Sequence, residues 1–401
     1  MELMLQFGYG MMEHTRILLR SWGGGTVILS PRDQEPDQLG RFAAELLRGP
    51  GNRLLLDPQF YIPHADHNRL TSHAFWPSDF DSGVFWQGRG LADMLRRLGD
   101  LNQALGTNAV ILPGLLAASV DDAWLSVQAS ILGEARRLIP ERLLFATVAL
   151  SADALRTTDQ VQELLEASEE WNVDGVYLVT EHPAEAYLAA DPAWLANKLH
   201  LVAHQRLRGR QVICGYCTHQ MLVAACAGAN AVASGTWMNV RSFPPEKFDS
   251  SLEDEIRQRA TWYYCPQALS EYKLVYLDIA QRTGHLLGMR APQELGSTYA
   301  DVLFAGPQPS ASDFDERAAF RHYLQCFHAQ AAAARQDTFD ATVQQHRTLL
   351  DGAERMLRAL RAGGVYGQMR EFTDSVDANR AALAVLDNTR GPVLRRNWAA
   401  L

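Results

Sequence analysis

Eight short apolar runs, each with the composition of a buried β-strand, recur through the N-terminal part of the chain. Stretches with apolar residues at helical spacing lie between most of them. Eight β/α units within about 250 residues are what a closed TIM barrel requires. The sequence therefore predicts an α/β fold, a TIM (β/α)8 barrel, and an open doubly wound sheet is the alternative. The runs begin at Leu3, Thr26, Arg53, Asn108, Leu143, Asp174, Arg210 and Asn230.

The pattern changes twice after the eighth run. Residues 251–312 carry mixed signals, and from Asp313 onward the apolar spacing is almost purely helical. We expect a TIM-barrel domain over 1–250, a smaller segment over 251–312 and a helical C-terminal region over 313–401. The C-terminal helices should bury their apolar stripe against the barrel or another subunit, because apolar surface left in water is unfavourable.

The composition is that of a globular protein, with 401 residues of which 47% are hydrophobic and 21% charged. A formal net charge of −9 gives no overall basic field for nucleic acid. Five cysteines in so long a chain fit reduced thiols better than a disulfide framework. No apolar run approaches the ~20 residues that cross a bilayer, and the N-terminus lacks the pattern of a signal peptide. We expect a cytoplasmic protein with no membrane partner.

One acid stands at the end of a predicted strand. The run RLLLDP places Asp57 directly before a proline that breaks the strand. Ligand sites of parallel α/β proteins lie at the carboxyl ends of the strands, so Asp57 is a candidate catalytic residue. The alternative is a solubilising loop acid.

Two further groups contain potential metal ligands. His64, Asp66 and His67 stand close together in a long loop, and imidazole and carboxylate are ordinary ligands of zinc, manganese or iron. A polar surface loop is the commoner explanation of such a pattern. Cys214 and Cys217 form a CxxC pair at the end of the seventh run, but no second pair follows at zinc-finger spacing. Buried thiols are therefore favoured there.

Polar residues also follow the sixth and eighth runs. Glu181 and His182 form an acid beside an imidazole, which suits proton transfer or, alternatively, the capping of a following helix. Ser234 and Arg241 lie in the loop after the eighth run. In TIM barrels this loop often holds an anionic group with backbone N–H groups and an arginine. A tight turn built on Gly235 is the structural alternative.

The layout resembles the tRNA-guanine transglycosylase superfamily, whose members exchange a guanine for a 7-deazaguanine base on a TIM barrel. The segment 57–60, DPQF, is similar to the family's aspartate, turn and Phe-Gln segment at the end of the third strand. Residues 212–241 are similar to its strand, glycine turn, helix and strand that lead into an arginine-bearing loop. The likeness continues in 265–278, which follow the position of the family's last zinc cysteine, and in 286–288 and 299–306. It implies that 251–312 are a diverged zinc-subdomain-like segment.

The sequence departs from that family at its functional positions. The eighth strand, where the family carries its nucleophilic aspartate, reads AVAS over 231–234. The positions that correspond to the base-reading aspartate and glutamine fall in 113–115, PGL, and 148–150, VAL. Of the zinc ligands only Cys265 is in register, so we expect no metal there, with Tyr263 and Tyr264 replacing it by packing.

The resemblance implies a protein that handles a guanine or 7-deazaguanine base, or a nucleic acid or protein that carries one. As an enzyme it would use Asp57 as nucleophile or general base, assisted by Glu181 and His182. The substrate would contact the following residues: Gln59, Phe60, His64, Ser234 and Arg241. No cofactor and no metal is expected.

Two other functions stay open. One is a non-catalytic relative that binds through the barrel mouth and assembles through its C-terminal helices. The other is a metal-dependent TIM-barrel hydrolase that uses His64, Asp66 and His67. The resemblance also suggests a homo-oligomer, a deazaguanine-synthesis-like partner enzyme and a bacterial DNA-modification or antiphage defence context.

Overall fold

A computed structural model of the protein, which describes residues 1–78, 85–250 and 260–401, contains a parallel barrel. Its strands coincide with the eight apolar runs, since β-branched and aliphatic side chains suit strands that are buried on both faces. One short additional strand, β5, was not expected. The strands are β1 (Glu2–Gln6), β2 (Gly25–Leu29), β3 (Asn52–Leu56), β4 (Val110–Ile111), β5 (Leu116–Ala117), β6 (Leu144–Leu150), β7 (Gly175–Thr180), β8 (Gln211–Cys214) and β9 (Ala231–Ser234).

The strand order β3-β2-β1-β9-β8-β7-β6-β4 is that of a barrel laid open between its third and fourth strands. The remaining gap is bridged by Asn108, just before β4. Its backbone N–H donates to the carbonyl oxygen of Leu54 at 2.8 Å, and its side-chain Oδ1 accepts from the N–H of Leu54 at 3.0 Å. The predicted eight-stranded TIM barrel is therefore confirmed, with β5 paired to the end of β6.

Helices follow most of the strands and form the outer layer. Several begin at a residue whose side chain accepts a backbone N–H, as Asp121 does from Trp124 at 2.9 Å. Between β8 and β9 the connection is a 3₁₀ helix, His219–Ala227, which ends on Gly228 in the left-handed conformation. The α-helices of the barrel are α1 (Met11–Trp22), α2 (Pro36–Leu46), α3 (Asn68–Thr71), α4 (Arg89–Leu105), α5 (Asp122–Leu138), α6 (Ala152–Arg156), α7 (Thr158–Ser168) and α8 (Pro192–Leu207).

The C-terminal part adds, among its described residues, an antiparallel hairpin and six α-helices. The first nine residues of the predicted segment 251–312 lie outside the described residues, and the rest of it holds the hairpin and short helices. In the part of the chain that the structure describes, we find no helix of the length and apolar character needed to cross a bilayer. The elements are β10 (Trp262–Cys265), β11 (Ser270–Lys273), α9 (Leu274–Arg282), α10 (Leu286–Met289), α11 (Val302–Ala305), α12 (Glu316–Ala334), α13 (Phe339–Ala362) and α14 (Thr373–Asn397).

The last helix, α14, packs along α8 of the barrel. Arg390 Nη2 of α14 lies 2.9 Å from His200 Nε2 of α8. The apolar residues Leu383, Leu386 and Leu394 of α14 are buried. The prediction that the C-terminal helices bury their apolar stripe against the barrel is confirmed for this helix.

A buried carboxyl at the barrel mouth

Asp57 lies one residue after β3, at the carboxyl end of the barrel, as the position of the strand predicts. Its backbone N–H continues the ladder by donating to the carbonyl oxygen of Leu29 at 3.1 Å. The residue has no exposed surface. Its carboxyl therefore needs partners inside the barrel.

Three phenol groups supply those partners. The hydroxyls of Tyr61, Tyr216 and Tyr177 lie 2.8, 2.9 and 3.2 Å from Oδ2 of Asp57. The backbone N–H of Gln59 donates to Oδ1 at 2.9 Å. Tyr177 also lies 2.9 Å from Oε1 of Gln6, to which its hydroxyl donates. Because Tyr177 belongs to β7 and Tyr216 follows β8, the carboxyl is held from the opposite side of the barrel.

The environment of Asp57 raises the pKa of its carboxyl toward neutral pH. Burial is the largest effect and raises the pKa, while the hydrogen bonds from Tyr61, Gln59, Tyr216 and Tyr177 lower it again. The resulting pKa is about 6, compared with an ordinary value of 3.8. A carboxyl with such a pKa can take up or release a proton near neutral pH, which is the property of a general acid or base.

Two residues beside Asp57 have strained backbones. Gln59 and Tyr216 have φ values of 56° and 52°, in the left-handed region that residues with a Cβ rarely adopt. Their side chains meet, since Nε2 of Gln59 donates to the Tyr216 hydroxyl at 3.1 Å. Such strain costs on the order of 1–3 kcal/mol per residue and concentrates at functional sites.

The side chain of Gln59 is held by hydrogen bonds within the protein. Its Oε1 accepts from the backbone N–H of Arg32 at 2.9 Å and from the Ser30 hydroxyl at 3.1 Å. The sequence suggests Gln59 as a substrate ligand. The structure places its side chain among Ser30, Arg32 and Tyr216, and its contact with a substrate stays a prediction.

An aromatic cap, formed by Tyr61, Tyr216, Phe243 and Phe248, covers the carboxyl. The ring of Tyr61 lies 4.8 Å from Phe243 and 5.0 Å from Phe248, both edge-to-face. Phe243 and Phe248 are stacked at 5.4 Å with an interplanar angle of 29°. All four side chains are buried. The two tyrosines that bond to Asp57 thus belong to a buried cluster of flat aromatic rings, a surface that suits another flat ring.

Phe60 and His64 lie apart from the carboxyl. The buried ring of Phe60 packs edge-to-face on Trp76 at 4.7 Å and on Trp86 at 6.2 Å. His64 is exposed in the loop that follows. No hydrogen bond among the described residues joins either of them to Asp57, so their predicted contact with a substrate stays a prediction.

Glu181 and His182 directly follow β7. An oxygen of Glu181 accepts the N–H of Ala152 at the start of α6, at 3.1 Å. Nδ1 of His182 lies 2.9 Å from the carbonyl oxygen of Ala186, and burial, followed by the charge of Lys198, lowers its pKa to about 4. The helix that Glu181 contacts is α6, which precedes it in the chain, and not a following helix as the capping alternative expects. No hydrogen bond among the described residues joins Glu181 or His182 to Asp57, so their predicted catalytic role stays a prediction.

Ser234 and Arg241 are also turned away from Asp57. Ser234 pairs in register with Leu5, whereas Gln6, one residue later, faces the barrel interior, so Ser234 lies on the helix side. Arg241 is buried and pairs with Glu271 at 3.2 Å, where the sequence suggests a substrate anion. The structure therefore gives Arg241 a carboxylate partner from the protein itself.

Glu271 connects the barrel to the C-terminal region. It also pairs with Arg370 at 2.8 Å and accepts a hydrogen bond from Tyr187. The guanidinium of Arg241 lies 3.5 Å above the Tyr323 ring. Burial alone would raise the pKa of Glu271, but the charges of Arg370 and Arg241 lower it to about 2. This cluster is a structural ion network that holds the loop after β9.

No three His, Cys, Asp or Glu side chains come together as a metal site within residues 1–78, 85–250 and 260–401. His64, Asp66 and His67 therefore do not converge. Where the resemblance locates zinc, Cys265 is buried, and Tyr263 stacks on His322 at 4.9 Å. Both ring nitrogens of His322 lie 2.8 Å from protein oxygens, those of Ser297 and Tyr264.

The sequence did not single out Tyr177, Tyr216 or Gln6. Tyr177 and Tyr216 are 120 and 159 positions from Asp57, so no local motif links them. One feature of the sequence could have indicated Tyr177. It is a tyrosine within a run that the pattern predicts as a buried strand, and a buried tyrosine hydroxyl usually has a hydrogen-bond partner.

No family model and no curated protein matches the chain. Among solved structures it is similar to a GH10 xylanase from Thermobacillus composti, with a TM-score of 0.36 and 10% identity over 61% of this chain and 88% of the xylanase. It is also similar to the carboxyl transferase domain of Rhizobium etli pyruvate carboxylase with 3-bromopyruvate, with a TM-score of 0.36 and 10% identity over 98% of this chain and 78% of the other. The same domain with 3-hydroxypyruvate gives 0.37 and 9% identity over 96% and 60%.

Proposed function

We propose that the barrel mouth binds a guanine-type or 7-deazaguanine base, free or carried by a nucleic acid or protein, with Asp57 as its central ligand. The observation that carries the proposal is the Asp57 carboxyl, which is buried, held by three phenols and has a pKa of about 6. The strained backbones of Gln59 and Tyr216 support it, because strain of this kind persists where function requires the geometry. The resemblance to tRNA-guanine transglycosylases supplies the class of ligand.

The chemistry follows from the two protonation states of Asp57. As a carboxylate it accepts an N–H from the edge of the base, and as a carboxylic acid it donates to a ring nitrogen or carbonyl oxygen. Near neutral pH both states are populated, so one residue can move a proton to or from the base. Because Asp57 is fully buried in the structure, a flat base reaches it by displacing rings of the aromatic cap.

A purely binding role is the second candidate function, and one observation favours it. The eighth barrel strand, β9, contains Ala231 and Ala233 but no carboxylate. A glycosyl-enzyme intermediate on β9 is therefore excluded for this chain. Base exchange would then use Asp57 itself or a water molecule as the nucleophile.

Calorimetry with guanine, 7-deazaguanines, nucleosides and tRNA tests the proposal directly. We expect Asp57→Asn to weaken binding of the base by roughly tenfold or more, because the substitution removes the charged acceptor. Asp301→Asn, at an exposed carboxylate, is the matched control and should bind like the wild type. Absence of binding by the wild type at millimolar concentrations of every ligand would refute the proposal.

Turnover separates the two candidate functions. If the wild type exchanges bases and Asp57→Asn abolishes the exchange even at saturating concentrations of the base, the protein is an enzyme. If no exchange is detected with the wild type and the substitution weakens binding, the protein is a binding module.

The biological context belongs to the same proposal and is supported by the resemblance alone. We place the protein in the cytoplasm of a bacterium, in a DNA-modification or antiphage system, with a deazaguanine-synthesis-like enzyme as the source of the base. Assembly as a homo-oligomer through the C-terminal helices is tested by light scattering of the purified chain.

A further inference from the structure

A cleft of about 450 Å³ lies at the amino end of the barrel, on the side opposite Asp57. Met1 precedes β1 there, whereas Asp57 follows β3 at the carboxyl end. Binding sites for small molecules commonly have volumes of ~300–1,000 Å³, so the cleft has the size of one. It is lined by residues before β1, in the loop after α12 and after α14: Met1, Arg335, Gln336, Asp337, Trp398 and Ala399.

Arg335 brings a positive charge to the cleft. Its guanidinium lies over the Trp398 ring, with Cζ 4.9 Å from the ring centroid, and Nη2 donates to the Trp398 carbonyl oxygen at 3.2 Å. Trp398 is itself held in place, because its Nε1 donates to the carbonyl oxygen of Gln336 at 2.9 Å and its ring packs on Phe339. Nε and Nη1 of Arg335 make no hydrogen bond within the described residues, so N–H donors remain available to a ligand.

A second arginine lies within electrostatic reach of the first. Arg206, near the end of α8, is 5% exposed and donates from Nε and Nη1 to the carbonyl oxygens of Gly228 and Arg210, at 2.9 and 2.7 Å. Burial lowers the pKa of both Arg206 and Arg335. The charge of Arg335 lowers the pKa of Arg206 further, because the two guanidiniums repel each other.

The two guanidiniums share no carboxylate. All of their hydrogen bonds in the part of the chain that the structure describes go to backbone carbonyl oxygens. Asp337 lines the cleft, but it is exposed and makes no ion pair with Arg335 among these residues. Cations that are partly removed from water without an opposite charge are unfavourable, and an anion in the cleft relieves that cost.

We infer that the cleft binds a phosphate monoester, whose phosphate oxygens accept hydrogen bonds from the guanidinium of Arg335. A dianionic phosphate matches the two positive charges, and a planar guanidinium fits the geometry of phosphate oxygens. The volume calls for the ester part, since 450 Å³ corresponds to roughly 15 water molecules at about 30 Å³ each, more than a phosphate ion displaces. The site is separate from the barrel mouth and does not depend on the proposed function.

Calorimetry tests the site with two monoesters, adenosine 5′-monophosphate and glucose 6-phosphate, and with inorganic phosphate. We expect at least one monoester to bind the wild type roughly tenfold or more tighter than inorganic phosphate does. Arg335→Gln, which removes the charge, should weaken that binding by roughly tenfold or more. Arg335→Lys keeps the charge but not the planar fork, so its affinity should lie between those of Arg335→Gln and the wild type.

Arg395→Gln is the matched control. Arg395 also lies over an aromatic ring, with Cζ 5.0 Å from the centroid of Phe339. It is paired with Asp340 and Asp387 and does not line the cleft. The affinity of this variant for the monoester should stay within about twofold of that of the wild type.

Thermal unfolding at constant ionic strength gives a second readout, because a ligand that binds only the folded state raises the melting temperature. The monoester should raise the melting temperatures of the wild type and Arg395→Gln above those in sodium chloride, and leave that of Arg335→Gln unchanged. Without ligand, Arg335→Gln should melt within about 3 °C of the wild type, because relief of the repulsion with Arg206 offsets the lost contact with Trp398.

Each result decides for or against the site. Loss of monoester binding in Arg335→Gln together with its retention in Arg395→Gln supports the proposal. Equal affinities for inorganic phosphate and both monoesters would mark an adventitious ion only and overturn it. A wild type that binds none of the three, or monoester binding that Arg335→Gln retains, would overturn it as well.

Discussion

The carboxyl of Asp57 links protonation to folding. Its pKa rises from 3.8 to about 6 on folding, so the folded state holds the proton more tightly than the unfolded chain does. The stability that this proton contributes is complete below about pH 3.8 and is lost as the pH rises through 6. From the two pKa values the loss is roughly 3 kcal/mol. Asp57→Asn cannot ionise at this position. We predict that its free energy of unfolding, relative to that of the wild type, increases by this amount between about pH 4 and pH 7.

Urea unfolding at a series of pH values measures the difference between the two proteins. The difference is the informative quantity, because buried histidines act in the opposite direction in the same range. Burial lowers the pKa of His182, His219 and His322 to about 4, so their contribution is present above pH 6.5 and is lost as the pH falls toward 4. The contribution of these histidines to the free energy of unfolding is the same in both proteins, so it cancels in the difference. A difference that does not vary with pH would show that Asp57 titrates normally.

At the scale of elements, Glu271 on β11 joins the loop after β9 to the segment between α13 and α14. It is buried between two arginines, Arg241 and Arg370, which belong to those two segments. Removing one charge from such a network leaves the others buried without compensation. We predict that Glu271→Gln lowers the free energy of unfolding by roughly 3–5 kcal/mol.

Urea denaturation measures this change as well. The exposed pair Arg290 and Asp301, at 2.8 Å, is the control, and Asp301→Asn should change the free energy of unfolding by less than about 1 kcal/mol. An equally small effect of Glu271→Gln would mean that the two arginines find other partners and that the network does not hold the loop.

The sequence predicted the elements better than it predicted the site. All eight barrel strands follow from apolar runs, and Asp57 follows from the end of one of them, because burial and strand ends are local properties. The partners of Asp57 are not local, since Tyr177 and Tyr216 reach it across the barrel. The sequence could not predict the ion pair of Arg241 and Glu271 either, because the charge pattern of a segment does not show which other segment it contacts.

At the scale of the whole molecule, the C-terminal region adds a helix, α14, that packs on α8 in the outer layer of the barrel. The helix α8 is buried around almost its whole circumference, including His204 and Arg206 near its end. An amphipathic barrel helix would instead expose one face. Because α14 covers the outer side of α8, the barrel and the C-terminal helices share one core, and we expect the intact chain to unfold in a single transition.

Two neighbouring residues of α14 allow a matched test of this shared core. Leu386 is 2% exposed and Val385 is 45% exposed. Leu386→Asp places a charge in the interface between helices and should lower the free energy of unfolding by more than about 3 kcal/mol. Val385→Asp, which makes the same change on the solvent side, should alter it by about 0.5 kcal/mol or less.

The measurement is urea unfolding followed by two probes, far-UV circular dichroism and tryptophan fluorescence. In Leu386→Asp both probes should shift together to a lower midpoint, because loosening α14 uncovers α8 and the strands beneath it. If the fluorescence midpoint moved while the main dichroism transition stayed in place, α14 would be an independent appendage. The barrel would then be stable without it.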